Sequence, residues 1–254
     1  MVAHVTQTRQ FVMTQLIEPC CTVKGTVQEK YDAIARGQRD PCYCMVEQAD
    51  YRDKTGYQED ADLGLGCGTP VDHAELQFGE IVLDLGCGAG LDAMIAAPLV
   101  GAKGEIMGVD FTPSMVARAK RNASAVGVDN VVFLEGDIEQ LPIEDSSIDV
   151  VISNCTINLV PNKAQVYAEI FRVLRPGGRF IISDVVTVGS PDPELLRRAE
   201  EAAGCVAGAA EKESYMQLIA AAGLKELEVV QFRSLKVISE QDGLASITVR
   251  GRRL

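Results

Sequence analysis

The chain has 254 residues, 47% of them hydrophobic, and a formal net charge of -12 from 24 basic and 36 acidic side chains. That is enough apolar material for one substantial core and too little positive charge for the basic footprint that a nucleic acid or an anionic membrane would need. No apolar run reaches the length of a membrane span and residues 1–15 are polar without a signal-peptide core, so the expected setting is cytoplasmic and the expected substrate small.

Residues 1 to about 25 read as a weakly patterned arm that ends in the vicinal pair Cys20 and Cys21. A short helix follows over 26–36, with Thr26 as N-cap, Glu29 placed for a capping box and Gly37 as its stop. From Gln38 to Gly79 the chain is polar, carries Cys42 and Cys44 and the acidic residues Glu59, Asp60 and Asp62, and includes Leu63-Gly64-Leu65-Gly66-Cys67-Gly68-Thr69-Pro70. So many glycines let the backbone approach a ligand closely while one thiol is presented. Residues 1–70 are therefore expected to form an N-terminal, cysteine-containing arm and cap over the main domain, 71–254.

That domain starts at Val82-Leu-Asp-Leu-Gly-Cys-Gly-Ala-Gly90, an apolar strand running into a loop with glycine at every second position, then a helical run from Leu91 to Leu99. Strand, glycine turn and helix make a seat for a nucleoside cofactor. Two residues choose between the cofactors that use such a seat. A dinucleotide loop wants Gly or Ala where this chain has Leu91, and Asp84, at the strand end, would repel a pyrophosphate but attract a ligand carrying an ammonium and a sulfonium. Asp110 closes the second strand, where a carboxylate accepts from ribose hydroxyls, with Phe111 beside it. Asp137 closes the third, positioned for an adenine amino group with Ile138 against the ring.

The pattern continues as strand 105–110, helix 113–126, strand 131–135, strand 148–153, helix 162–174 and strand 179–185, then helices over 191–203 and 211–222 and a final antiparallel pair over 224–232 and 244–249. Alternating strands and helices of this kind give a mostly parallel seven-stranded α/β sheet covered on both faces. Residues 190–224 read as a small substrate-side insertion. This series, from about residue 80 to 185 and including Arg172-Val-Leu-Arg-Pro-Gly-Gly178, resembles the class I (Rossmann-like) S-adenosylmethionine-dependent methyltransferases. The resemblance implies S-adenosyl-L-methionine as cofactor, bound by Asp84, Gly86, Gly88, Gly90, Asp110, Phe111, Asp137, Ile138 and Asn154.

Eight cysteines and only two histidines, His4 and His73, shift attention from imidazole chemistry to thiols. Cys67, Cys155 and Cys205 come from cap, core and insertion, each in a glycine-rich or strand-end context, and can meet over one sulfonium methyl. Structural zinc draws its ligands from close pairs such as C-x-x-C, and no such pair occurs here. Cys87, inside the cofactor loop, reads as a small buried hydrophobe. Ser153-Asn-Cys-Thr-Ile-Asn-Leu159, Gly204-Cys-Val-Ala-Gly208 and Gly66-Cys-Gly68 together resemble the arsenite S-adenosylmethionine methyltransferase family, from about residue 18 onward.

That resemblance implies trivalent arsenic as substrate, free or as a thiol conjugate, with Cys67, Cys155 and Cys205 as its ligands. It also implies a disulfide between Cys67 and either Cys20 or Cys21 during turnover, and a thiol reductant such as thioredoxin or glutathione. Soft thiolates suit a soft centre. Two other readings compete: a methyltransferase for a quinone-like or sterol-like acceptor with incidental cysteines, and a non-catalytic thiol sensor on the same fold.

Overall fold

The computed structural model describes residues 24–38, 49–191, 193, 197, 204–235 and 243–254. Strand β1 (Ile81–Leu85) is apolar on both faces because both are covered. Leu83 and Leu85 enter one core and Val82 the other, the alternation that a period of two imposes. The remaining strands are β2 (Glu105–Asp110), β3 (Val131–Glu135), β4 (Ile148–Asn154), β5 (Leu174–Thr187), β6 (Lys225–Leu235) and β7 (Leu244–Arg252).

They form one seven-stranded sheet in the order β3-β2-β1-β4-β5-β7-β6. Pairs among β1 to β5 are parallel, whereas β7 runs antiparallel to both β5 and β6. The order reverses between β1 and β4, so the carboxyl ends of these two strands open the crevice where ligands of such sheets bind.

The described helices are α1 (24–35), α2 (Pro70–His73), α3 (Leu91–Val100), α4 (Pro113–Val126), α5 (Lys163–Val173) and α6 (Lys212–Ala221). α3 and α4 cover one face through Met94, Ala97, Val116 and Ala119. α5 and α6 cover the other through Tyr167, Ile170, Tyr215 and Ile219. Local chemistry sets their ends. Pro113 occupies the first turn of α4 and Gly127 closes it at φ 70, and Asn162 and Glu211 accept from Gln165 N–H and Ser214 N–H at the starts of α5 and α6.

Two expectations change. The first helix is already formed at residue 24, so Thr26 lies inside it and is not its N-cap. β5 begins at Leu174 rather than 179, taking in the Pro-Gly-Gly segment through a register shift against β4 between Ile148 and Val150. Most of the expected helix over 191–203, and the arm with Cys20, Cys21, Cys42, Cys44 and His4, lie outside the described residues.

One acid lies wholly in this core. Asp184 on β5 is 0% exposed, and burial, opposed by the Tyr215 hydroxyl 3.0 Å away and by the Lys163 charge, pushes its carboxyl pKa up from 3.8 to about 7. A carboxyl held above its unfolded value favours the folded state fully below the unfolded pKa, near 3.8, and that contribution is lost as pH rises through about 7. Asp184→Asn, neutral at every pH, is expected to flatten the stability profile across this window and to raise the melting temperature at pH 8. Thermal denaturation of both proteins from pH 4 to 8 measures it.

Candidate active site

The loop after β1 turns within five residues, and its three glycines do different things. Gly86, Gly88 and Gly90 all have positive φ, at 68, 52 and 91, values that side chains with a Cβ rarely adopt. A Cβ on Gly86 would strike Thr156 and one on Gly90 would sit 2.8 Å from the Phe133 ring, but one on Gly88 would meet nothing within 4 Å. Two glycines are thus needed for packing, and the middle one faces open space.

That space is a pocket of about 1140 Å³, part of it open to solvent, whose walls include Asp84, the glycine loop, Asp110, Phe111, Asp137, Ile138 and Asn154. The expected cofactor residues are therefore all on one cavity except Gly90, which packs behind it. Asp84 is 2% exposed. One of its oxygens is engaged by the Ala93 N–H and Oδ2 has no partner among the described residues. Burial and the charges of Asp92 and Asp110 push its pKa well up, so the carboxylate form calls for a cation in the cavity. Asp92, in the first turn of α3, behaves alike: burial raises it to about 6, and its Oδ1 is also unpartnered. Asp110 is raised by burial, against which the N–H groups of Thr112 and Gly88 donate at 2.9 and 3.0 Å.

α1 closes one side of the pocket. Its Lys24 pairs with Asp137 at 2.6 Å and also with Glu139, and Gln28 donates to the Phe111 carbonyl at 3.1 Å. Asp137 stands where the sequence places it, yet Lys24 and the Glu139 N–H already engage both of its oxygens. Asn154, expected among the cofactor residues, lines the cavity too. Its amide, however, bonds to the Cys67 loop, to Tyr51 and to Asp92.

Behind Asn154 the three singled-out thiols meet. Cys67 and Cys155 are 1% and 5% exposed and share an apolar cluster with Val185, Val206, Leu235 and Leu244, against which Cys205 packs. The Cys155 and Cys205 sulfurs are 3.4 Å apart, a contact between free thiols rather than a bond, and Cys67 lies in the same apolar cluster. Thiol contacts with Cys205 and Cys67, then burial, push the Cys155 pKa well above 9.0; burial raises Cys67. Among the described residues no group of three or more His, Cys, Asp or Glu side chains is disposed to hold a metal ion.

Backbone geometry brings the thiols together. Cys155 takes φ 58, a left-handed conformation costly for a residue with a side chain, and its N–H is held by the Ser183 carbonyl at 2.8 Å. Glycine permits the other approaches. A Cβ on Gly68 would lie 2.6 Å from Ser183, and one on Gly208 would overlap the Asn158 carbonyl. The Cys67 carbonyl accepts from Ser246 Oγ at 2.7 Å and Arg233 at 3.1 Å. Cys155 also lines the glycine-loop cavity, so it belongs to both halves of the site. Cys87, buried in the cofactor loop at 7% exposure, packs in the α3–α4 core as a small hydrophobe.

Sequence reasoning missed Tyr51, Asp92, Lys24 and Ser246. Asp92 carried a usable signal, a carboxylate in the first turn of the helix that follows the glycine loop. The others carried none, because their places depend on tertiary packing.

A methyltransferase-domain family model matches residues 76–223, more than half of the chain. The chain is 38% identical to an arsenite methyltransferase of Halobacterium salinarum over 89% of its own length and 66% of that protein's. It is 39% identical to the human arsenite methyltransferase over 57% of its length and 40% of that protein's. It therefore spans less than two thirds of these curated relatives. A solved arsenic(III) S-adenosylmethionine methyltransferase from Chlamydomonas reinhardtii superposes with a TM-score of 0.59 at 36% identity, covering 74% of this chain and 67% of that one.

The two glycine environments predict unequal responses to a methyl group. Gly86→Ala adds a clash with Thr156 to the cost of a positive φ and should lose roughly 1–3 kcal/mol of stability, whereas Gly88→Ala, with open space at its Cβ, should lose only about 1–2 kcal/mol. Urea unfolding of the two variants side by side measures the difference.

Proposed function

The chain belongs to the methyltransferase family, in the branch that includes the arsenite methyltransferases, and on that premise we propose that it transfers a methyl group from S-adenosylmethionine to trivalent arsenic held by Cys67, Cys155 and Cys205. The observation that carries the proposal is the position of Cys155, which lines the glycine-loop cavity, touches Cys205 and shares an apolar cluster with Cys67. An organic acceptor gives no reason for three thiols from three segments, two of them buried and the third half-buried, to share one apolar cluster.

The cavity suits S-adenosylmethionine. Two buried carboxylate oxygens of this cavity, Asp84 Oδ2 and Asp92 Oδ1, lack partners among the described residues, and Gly88 leaves space beside them. Asp84 and Asp92 would face the donor's positive charge, Asp110 with Phe111 its ribose, and Ile138 with Asp137 its adenine. When bound, the donor supplies a methyl group already activated by the sulfonium.

The protein's own part is to hold and orient. Arsenite exchanges each oxygen ligand for a thiol with loss of water, so each buried thiol passes its proton to the departing oxygen and no net charge is left in the apolar cluster. Three sulfur ligands leave the arsenic lone pair free. As that pair forms the As–C bond, arsenic is formally oxidised by two electrons. The arsenic-bound Cys67 sulfur and a fourth thiol restore trivalence by joining as a disulfide, which returns two electrons to arsenic and releases the one proton of the fourth thiol. The family implies Cys20 or Cys21 as that partner, and a reductant such as thioredoxin or glutathione, giving two electrons and two protons, reopens the bond. A reducing cytoplasm suits this cycle. Residues 1–70 serve as cap and 190–224 as the substrate-side insertion that carries Cys205.

Incubation with arsenite, S-adenosylmethionine and a dithiol reductant is expected to yield methylated arsenic by mass spectrometry, and Cys155→Ser to reduce the yield at least about a hundredfold, since it removes the ligand that faces the donor. Unmethylated arsenic throughout, with arsenite binding unchanged in Cys155→Ser, would refute the proposal.

A further inference from the structure

Asn154 sits where the two halves of the site join, and its side chain makes more contacts there than any cofactor role requires. Its Oδ1 accepts from the N–H groups of Cys67 and Gly68 at 3.2 and 3.3 Å. Its Nδ2 shares two hydrogens among three acceptors within reach, the Gly68 carbonyl at 2.8 Å, the Tyr51 hydroxyl at 2.5 Å and Asp92 Oδ2 at 3.0 Å. Tyr51 adds a bond of its own to the Gly68 carbonyl at 2.6 Å. Gly66 completes the fit, because a Cβ there would lie 2.8 Å from Asn154 Nδ2.

The three thiols do not depend on this node equally. Cys155 is fixed by its own backbone bond to Ser183. The Cys205 loop rests on Asn158, whose carbonyl packs against Gly208 and whose amide donates to Val185 at 2.6 Å. Cys67 alone has its N–H held by Asn154. Its carbonyl is tied separately by Ser246 and Arg233, so loss of Asn154 would leave the loop attached while freeing the direction of the thiol.

We propose that Asn154, braced by Tyr51, is a positioning residue that presents Cys67 as the third arsenic ligand and so sets the preference between arsenite and methylarsenite. The proposal rests on the arsenic reading above. Arsenite has three oxygen ligands to exchange and takes three thiols. Methylarsenite keeps its As–C bond, has two, and is satisfied by Cys155 and Cys205, which already touch. A site with a misdirected Cys67 therefore loses the first substrate and keeps the second.

Arsenic-edge X-ray absorption of the full chain, with kcat/KM for each substrate, tests this. Wild-type protein is expected to show three sulfurs around arsenite and two around methylarsenite. Asn154→Ala should show two sulfurs and one oxygen around arsenite, an unchanged methylarsenite spectrum, and a fall of about tenfold in the arsenite-to-methylarsenite ratio of kcat/KM. Tyr51→Phe, which removes only a hydroxyl, should shift the ratio the same way by about threefold, and it carries the test if the alanine variant does not fold. Three sulfurs in both variants, an equal loss on both substrates, or weakened S-adenosylmethionine binding with unaltered arsenic coordination would each overturn the positioning role. No arsenic–sulfur scattering in the wild type would instead overturn the arsenic reading itself.

Discussion

The amide of Asn154 is the contact on which the geometry of the site depends. It sits at the end of β4, next to the reversal in strand order, and from there touches the loop of Cys67 and the first turn of α3. A side chain with one acceptor and two donors is what such a junction needs, since the backbone of a close-approaching loop offers both N–H and C=O groups that burial would otherwise leave unsatisfied. Aspartate there would offer no donor and would face Asp92; leucine would satisfy nothing. The glycine-loop cavity and the thiol cluster are thus two sides of one hydrogen-bonded wall.

Around that wall the backbone is pressed into unusual shapes. Cys155 keeps its thiol inward only by a left-handed φ of 58, and the loops bearing Cys67 and Cys205 come close only because Gly66, Gly68 and Gly208 have no side chain. Conformations of this sort persist where the surroundings over-determine them. Here the surroundings are the central strands and the reversed β7, whose Ser246 reaches the Cys67 carbonyl. The C-terminal hairpin therefore contributes to the site as well as to the sheet edge.

Much of the fold was legible because its signals are local. The strand that carries Asp84 and the helix that opens at Pro113 and stops before Gly127 are each decided within a few residues. The first helix misled the reading at Thr26 because a capping pattern names a start only when the preceding residues are not helical, and here they are helical from residue 24 at the latest. The thiols were legible through flanking glycines at Cys67 and Cys205 and through the strand end at Cys155, and the structure gathers them at one apolar cluster. Tyr51 was not, since its value lies in reaching Gly68 and Asn154, the latter 103 residues away. The same holds for Lys24 and Asp137, 113 residues apart, where sequence position gives the acid but not the lysine that already faces it.

The electrostatics of the two halves differ in a way that suits two different reactants. The cavity gathers Asp84, Asp92 and Asp110, each pushed towards its neutral form by burial, and a cation entering beside them would restore the charged form that burial disfavours. The thiol cluster has the opposite requirement. Cys67 and Cys155 lie in an apolar setting where their thiolates are disfavoured, so a divalent cation, which must expel thiol protons and leave a net charge behind, is a poor guest. A centre that brings its own basic oxygens, loses them as water and binds as a neutral trithiolate is a good one. A cationic donor on one side of Asn154 and a neutral acceptor on the other is the arrangement this distribution of buried charge favours.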